Sequence, residues 1–194
     1  MDTLFVGRNR INLSETDSTN NYALHNTHLP EGTLISADFQ SAGKGQRNKS
    51  WQSEHGKNLL FSVLFKPTFL HPSKLFSLNK AVALALCTAL ADYTTILVPA
   101  IKWPNDIYVA DRKLAGILTE SQVNASQIVS YVAGIGLNIN QTIFEGLFPE
   151  PISLKLIHNQ DISLELVLSS ICKQMEIKYL MLQRGEFEQI DYQF

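Results

Sequence analysis

Three short segments carry residue types whose spacing suits chemistry on an anion. The first, Gly43-Lys44-Gly45-Gln46-Arg47-Asn48-Lys49-Ser50-Trp51, holds two glycines and three cations within nine residues and no acid. Glycines let backbone amides approach a ligand closely, and clustered cations make a local anion well. Trp51 offers a face on which a base can stack. A basic surface loop with Trp51 plugging the core would use the same residues. The pattern GxxxxGK[ST] is absent, so this is not a Walker loop.

The second segment is Lys102-Trp103-Pro104-Asn105-Asp106, followed by Asp111-Arg112-Lys113-Leu114-Ala115-Gly116. A lysine among apolar strands is costly unless it meets an anion. Asn105 and Asp106 are oxygen donors of the kind magnesium takes. Taken singly, Asn-Asp as a turn and Lys113 as a solvated hairpin lysine is the simpler reading. The third segment is Ala133-Gly134-Ile135-Gly136-Leu137-Asn138-Ile139-Asn140. Alternate glycines leave one face of a strand bare, so that a flat ligand or another piece of backbone can lie close. A bulge or tight sheet packing would use the same glycines.

Other chemistries find no support. The histidines at 25, 28, 55, 71 and 158 show no HExxH spacing, and there is no GxSxG elbow. Cys87 lies on a hydrophobic helix, where a small core residue is expected. Cys87 and Cys172 form no CxxC pair, which excludes a zinc ribbon and fits a reducing cytoplasm.

These segments need a scaffold. Asp17-Ser18-Thr19-Asn20 offers helix caps before a short polar helix over 20–26. Strands are expected at 33–39 and 58–65, joined by a polar stretch, 40–56, whose length without structure of its own is uncommon unless it is a functional loop. Leu75, Leu78, Val82, Ala85 and Ala89 form the stripe of a helix running from Ser73 to near Tyr93. Apolar segments at 97–103, 107–109, 114–119 and 128–139 follow, with Asp111-Arg112 as a hairpin turn. A second long helix begins near Ser163, with Leu164, Leu168, Ile171, Met175, Tyr179 and Leu182 on one face. The pattern predicts an α+β fold: a mixed sheet packed on helices.

The chain has 194 residues, 45% of them hydrophobic and 18% charged, with a formal net charge of −2. This suits one globular domain and gives no global basic field for nucleic acid. The N-terminus lacks a signal-peptide apolar stretch, and the apolar run 81–91 is too short to span a bilayer. The expectation is a cytoplasmic, single-domain protein without membrane or nucleic-acid partners, with a homodimer left open.

In order, Asp17-Ser18-Thr19-Asn20, Gln40 through Trp51, Lys102-Trp103-Pro104-Asn105-Asp106, Lys113 through Leu118 and Gly134 through Asn138 resemble the catalytic domain of biotin–protein ligases. The resemblance spans about two-thirds of the chain. It implies a fold related to class II aminoacyl-tRNA synthetases and a two-step reaction. Biotin and MgATP form biotinyl-5′-adenylate, and the acyl group then passes to a lysine of a biotin carboxyl carrier protein, part of acetyl-CoA carboxylase or another biotin-dependent carboxylase. By family position, Ser18, Thr19, Asn20, Gln40, Gly43, Lys44, Gly45, Gln46, Lys113, Gly116, Leu118, Gly134 and Gly136 would surround biotin. Arg47, Lys49, Trp51, Asn105 and Asn138 would hold ATP and the adenylate. Lys113, Arg47, Asp106 and Lys102 would carry the chemistry, Asp106 through magnesium or the incoming lysine.

The resemblance has departures. Gln46 stands where repressor-type ligases have arginine, Asn48 replaces a glycine, and Lys44 lacks arginine's bidentate geometry. No helix-turn-helix domain is expected before Asp17, and the family's C-terminal SH3-like domain is not expected after the second long helix. Alternatives within the resemblance are a lipoate or octanoate transferase and a biotin-binding module without catalysis.

Overall fold

The structure, a computed structural model, describes residues 2–94, 98–144, 146 and 150–194. Seven strands form one sheet in the order β1-β2-β3-β7-β6-β5-β4. The strands are β1 (Arg10–Thr16), β2 (Leu34–Gln40), β3 (Leu59–Phe65), β4 (Pro99–Lys102), β5 (Asp106–Val109), β6 (Arg112–Val123) and β7 (Ile128–Leu137). Only β1 and β2 run parallel, so the sheet is mixed. The helices are α1 (Thr19–His25), α2 (Leu75–Ala91), α3 (Leu154–His158), α4 (Leu164–Gln183) and α5 (Phe187–Gln193).

Every residue of β3 is buried, because this central strand is covered on both faces. On one face, α2 and α4 bring Leu78, Val82, Leu86, Ile171, Met175 and Leu182 against Phe61, Val63, Tyr131 and Ile135. On the other, α1 covers only one end, through Ala23 over Ile35, Leu64 and Val132. The remainder of that second face has room for a ligand.

Residues 72–91 are long and apolar enough, by length and composition, to cross a membrane, and half of that span is buried inside the protein. The expected 81–91 run is therefore part of a longer core helix. Ser163 caps α4 by accepting from the Leu166 N–H, as its position before the apolar stripe suggests. The expected turn Asp111-Arg112 shifts by one residue. Val109 pairs with Arg112, and the loop is Ala110-Asp111, with Ala110 at φ +52°. Two-residue hairpins need positive φ, which an alanine does not advertise. Strand β1 went unread because it is an edge strand with no fully buried residue. Leu97, at the start of the expected 97–103 strand, lies outside the described residues.

The N-terminal segment is tied to α4 by one carboxylate. Glu176 accepts from the backbone N–H groups of Leu4, Phe5 and Val6 at 2.7, 2.8 and 3.0 Å. Glu176→Ala strands these donors against the core and should lower the unfolding free energy by about 2–4 kcal/mol, measured by urea denaturation. An unchanged midpoint would mean that water replaces the carboxylate without loss.

Candidate active site

The open part of the second sheet face is organised in two rows of paired residues. One row crosses the strands as Ser62, Gly134 and Leu118. The next, two residues along, runs Leu60, Gly136, Gly116, Asp106 and Lys102. A Cβ at Gly134 would lie 1.9 Å from Asn20 Oδ1, and one at Gly136 would lie 2.3 Å from the Trp51 indole. A Cβ at Gly116 would sit 3.0 Å from the same ring. The face expected to be bare is thus lined, and its glycines are there to let Asn20 and Trp51 lie flat on the strands.

Lys113 reaches this face because of an irregularity. Ile107 pairs with Ala115, but Tyr108 pairs with Lys113, so Leu114 is an extra residue on β6. Leu114 and Ala115 are both fully buried. The bulge reverses the alternation at one point and turns Lys113 away from the core. Its Nζ comes 2.8 Å from Asp106 Oδ1 and 5.6 Å from the centre of the Trp51 ring. Backbone bonds hold it there: Lys113 N–H donates to Glu150 O, and Ile152 N–H donates to Lys113 O. Arg112 adds a bond to Pro151 O and an ion pair with Glu150. Residues 150–152 therefore form a strap along the start of β6.

The cleft has two compartments. The narrow one, of about 50 Å³, is lined by Ser18, Thr19, Asn20, Gln40, Lys44, Gly45, Gln46, Trp51, Asn105, Asp106, Lys113, Gly116, Leu118, Gly134 and Gly136. A wide bay of about 410 Å³ is lined by Gly45, Gln46, Arg47, Lys49, Trp51, Lys102, Asn105, Asp106, Lys113, Asn138 and Pro151. The bay falls within the range of small-molecule sites, whereas the narrow chamber holds a water or two. The Lys113–Asp106 pair, Trp51 and Gly45-Gln46 belong to both compartments and form their junction. Among the described lining residues Asp106 is the sole carboxylate, facing Lys44, Arg47, Lys49, Lys102 and Lys113. The junction attracts anions.

Individual residues divide by what holds them. The loop closes on itself through Trp51 N–H to Gly43 O and Gly45 N–H to Lys49 O, with Arg47 in left-handed backbone at φ +55°. Gly43 lines neither compartment; a Cβ there would lie 2.6 Å from Trp51 O, so it serves the loop's closure. Lys44 reaches back to Asn21 Oδ1 at 2.7 Å. Asn105 is bound to Ile117 of β6 twice, its side-chain amide donating to Ile117 O and its backbone carbonyl accepting from Ile117 N–H. Lys102 lies over the Tyr108 ring and within 3.3 Å of its hydroxyl. Asn138 donates to Ile152 O, and among the described residues nothing donates to its amide oxygen.

The family model of the biotin/lipoate A/B protein ligases matches residues 11–140. The chain belongs to this family. The bifunctional ligase/repressor BirA of Bacillus subtilis is 38% identical over 134 residues, 66% of this chain and 39% of that protein. A biotin–[acetyl-CoA-carboxylase] ligase of Paracoccus denitrificans is 32% identical over 135 residues, 66% of this chain and 53% of its own length. The matches therefore span only part of these relatives. The biotin protein ligase of Aquifex aeolicus, solved with biotin and ATP, superposes with a TM-score of 0.82 at 29% identity over 94% of this chain and 75% of that one. The Leishmania major ligase shares the fold, with a TM-score of 0.74 at 22% identity, over 94% of this chain and 81% of that one.

In this member of the biotin/lipoate ligase family, sequence reasoning passed over three features. Ser62 and Glu120 hydrogen-bond Asn20, and the strap carries the backbone partners of Lys113. Ser62 had a signal, since it is the only hydroxyl in Asn58–Phe65. Asp106 is engaged by Lys113, and among the described residues no group of three metal-ligating side chains exists.

Gly136→Ala should lift the indole from the sheet. In a Trp103→Phe background, Trp51 emission should shift to the red and gain quencher access; an unmoved spectrum would mean that the strand, not the ring, gives way.

Proposed function

We propose that the protein is a biotin–protein ligase that activates biotin as biotinyl-5′-AMP and passes it to a lysine of a biotin carboxyl carrier domain. The observation that carries this reading is the position of Lys113, at the one junction shared by a narrow polar chamber and a wide basic bay. Membership of the family and likeness to the Aquifex aeolicus enzyme support it.

The ureido ring of biotin enters the chamber, where Ser18, Thr19 and Gln40 supply hydrogen-bonding groups. The valeryl chain runs over Leu118 and the glycine rows toward Lys113. ATP occupies the bay, its phosphates near Arg47, Lys49 and Lys102, and its adenine against Trp51, with the Asn138 amide oxygen accepting from the exocyclic amine. Magnesium arrives with the nucleotide as part of the substrate.

Biotin carboxylate and α-phosphate repel each other until a cation lies between them. Lys113 lies there, aimed by the bulge and ready to stabilise the charge that grows as a carboxylate oxygen bonds to the α-phosphorus and pyrophosphate departs. In the second step, an uncharged acceptor amine attacks the acyl carbon, the acyl–phosphate bond breaks and AMP leaves. Asp106 orients that amine and takes up its proton. Closure of the 43–51 segment shields the mixed anhydride from water.

Biotin-dependent exchange of labelled pyrophosphate into ATP tests the first step without an acceptor. Exchange should require biotin and be absent with lipoate or octanoate. Lys113→Ala should cut it by about 100-fold or more while circular dichroism stays native. Exchange driven by lipoate, or full activity in the Lys113 variant, would overturn the assignment. Biotin binding without exchange would mark a silent binding module.

A further inference from the structure

Beneath the narrow chamber lies a hydrogen-bonded row that reaches into the sheet. Ser62 is fully buried on β3, with its Oγ 2.8 Å from Thr19 Oγ1 and 2.7 Å from Asn20 Oδ1. Asn20 Nδ2 donates to Leu118 O at 3.0 Å and to Glu120 Oε2 at 2.8 Å. At the other end, Thr19 N–H donates to Gln40 Oε1 at 2.7 Å. The Asn20 side chain fits because Gly134, between Ser62 and Leu118 in the row, leaves a slot there.

The donors and acceptors fix one another. Leu118 O can only accept, so Asn20 turns its nitrogen toward β6 and its oxygen toward Ser62. An amide oxygen can only accept as well, so the single Ser62 proton goes to Asn20. Thr19 Oγ1 has two oxygen neighbours, Ser62 Oγ at 2.8 Å and Gln40 Oε1 at 3.1 Å, and the Gln40 oxygen already accepts from the Thr19 N–H; the nearer contact takes the Thr19 proton, which points down into the sheet. Thr19 thus presents a lone pair to the chamber. Gln40, whose oxygen is taken by the Thr19 N–H, presents its amide hydrogens.

We infer that Ser62 is a positioning residue that orients the Thr19 hydroxyl as an acceptor and thereby sets the chamber's selectivity for a cyclic urea over an acyl chain. A urea ring carries both an N–H to meet the Thr19 lone pair and a carbonyl to meet the Gln40 amide. An aliphatic or dithiolane tail carries neither and gains nothing from the order. This inference rests on the substrate class proposed above and adds how the protein chooses within it.

Ser62→Ala removes one buried oxygen without filling or opening much space. By calorimetry, the Kd for biotin should rise about tenfold, as expected when a buried hydrogen-bond network loses a member. Desthiobiotin, which keeps the urea, should lose affinity by the same factor, and octanoate should bind as weakly as before. In exchange assays the biotin KM should rise while kcat and the ATP KM hold within twofold. The penalty should largely disappear in a Thr19→Val background, because the effect runs through that hydroxyl. Should Ser62→Ala not fold, Ser62→Cys, which keeps the side chain but replaces the hydroxyl with a weak donor and acceptor, must give the same urea-specific loss. Wild-type affinity in the variant, equal losses for biotin and octanoate, or losses that add with Thr19→Val would overturn the inference. Absence of biotin binding in the wild type would overturn the substrate assignment itself, and this inference with it.

Discussion

The constraint on which the site depends is steric: three positions on one face of two adjacent strands, Gly116, Gly134 and Gly136, have no side chain. Two pieces of chain from elsewhere use the space. Asn20, at the start of α1, enters one slot, and Trp51, at the end of the basic loop, covers the other. A helix start and a loop that share no sequence neighbourhood are thereby held against the same strands. The gap between them becomes the chamber. Packing, more than any single strong bond, brings the polar groups into one place.

Electrostatics builds on that packing. The cleft collects cations from β4, β6 and the loop, and one carboxylate, Asp106, offsets part of their repulsion. Lys113 would point into the core if β6 alternated regularly. A single extra residue, Leu114, turns it outward while Leu114 and Ala115 both stay buried. The irregular element thus carries the functional group, and the regular elements around it carry stability.

The major elements were legible because their patterns are periodic or continuous. The α2 and α4 stripes and the unbroken apolar run of β3 gave their positions within a few residues. The candidate site was legible as three separate segments, each with an ordinary explanation as strong as the functional one. The family resemblance drew them together. What stayed hidden depends on register. No local pattern says that Ser62, Gly134 and Leu118 stand in a row, that Leu114 is an extra residue, or that Asn105 is occupied by Ile117. The glycines illustrate the limit: their unusual spacing was visible, but the partners that Gly136 and Gly134 admit come from residues 85 and 114 positions away.

The strap formed by residues 150–152 gives the molecule a mechanical property. Its backbone bonds are made with Lys113 itself, whose N–H and carbonyl both close on it, and Pro151 also lines the bay. Lifting the strap to widen the bay must break the bonds that hold the lysine's backbone in line. Opening and disarming are therefore a single event: a bay wide enough to release a large ligand is one in which the lysine has lost its alignment.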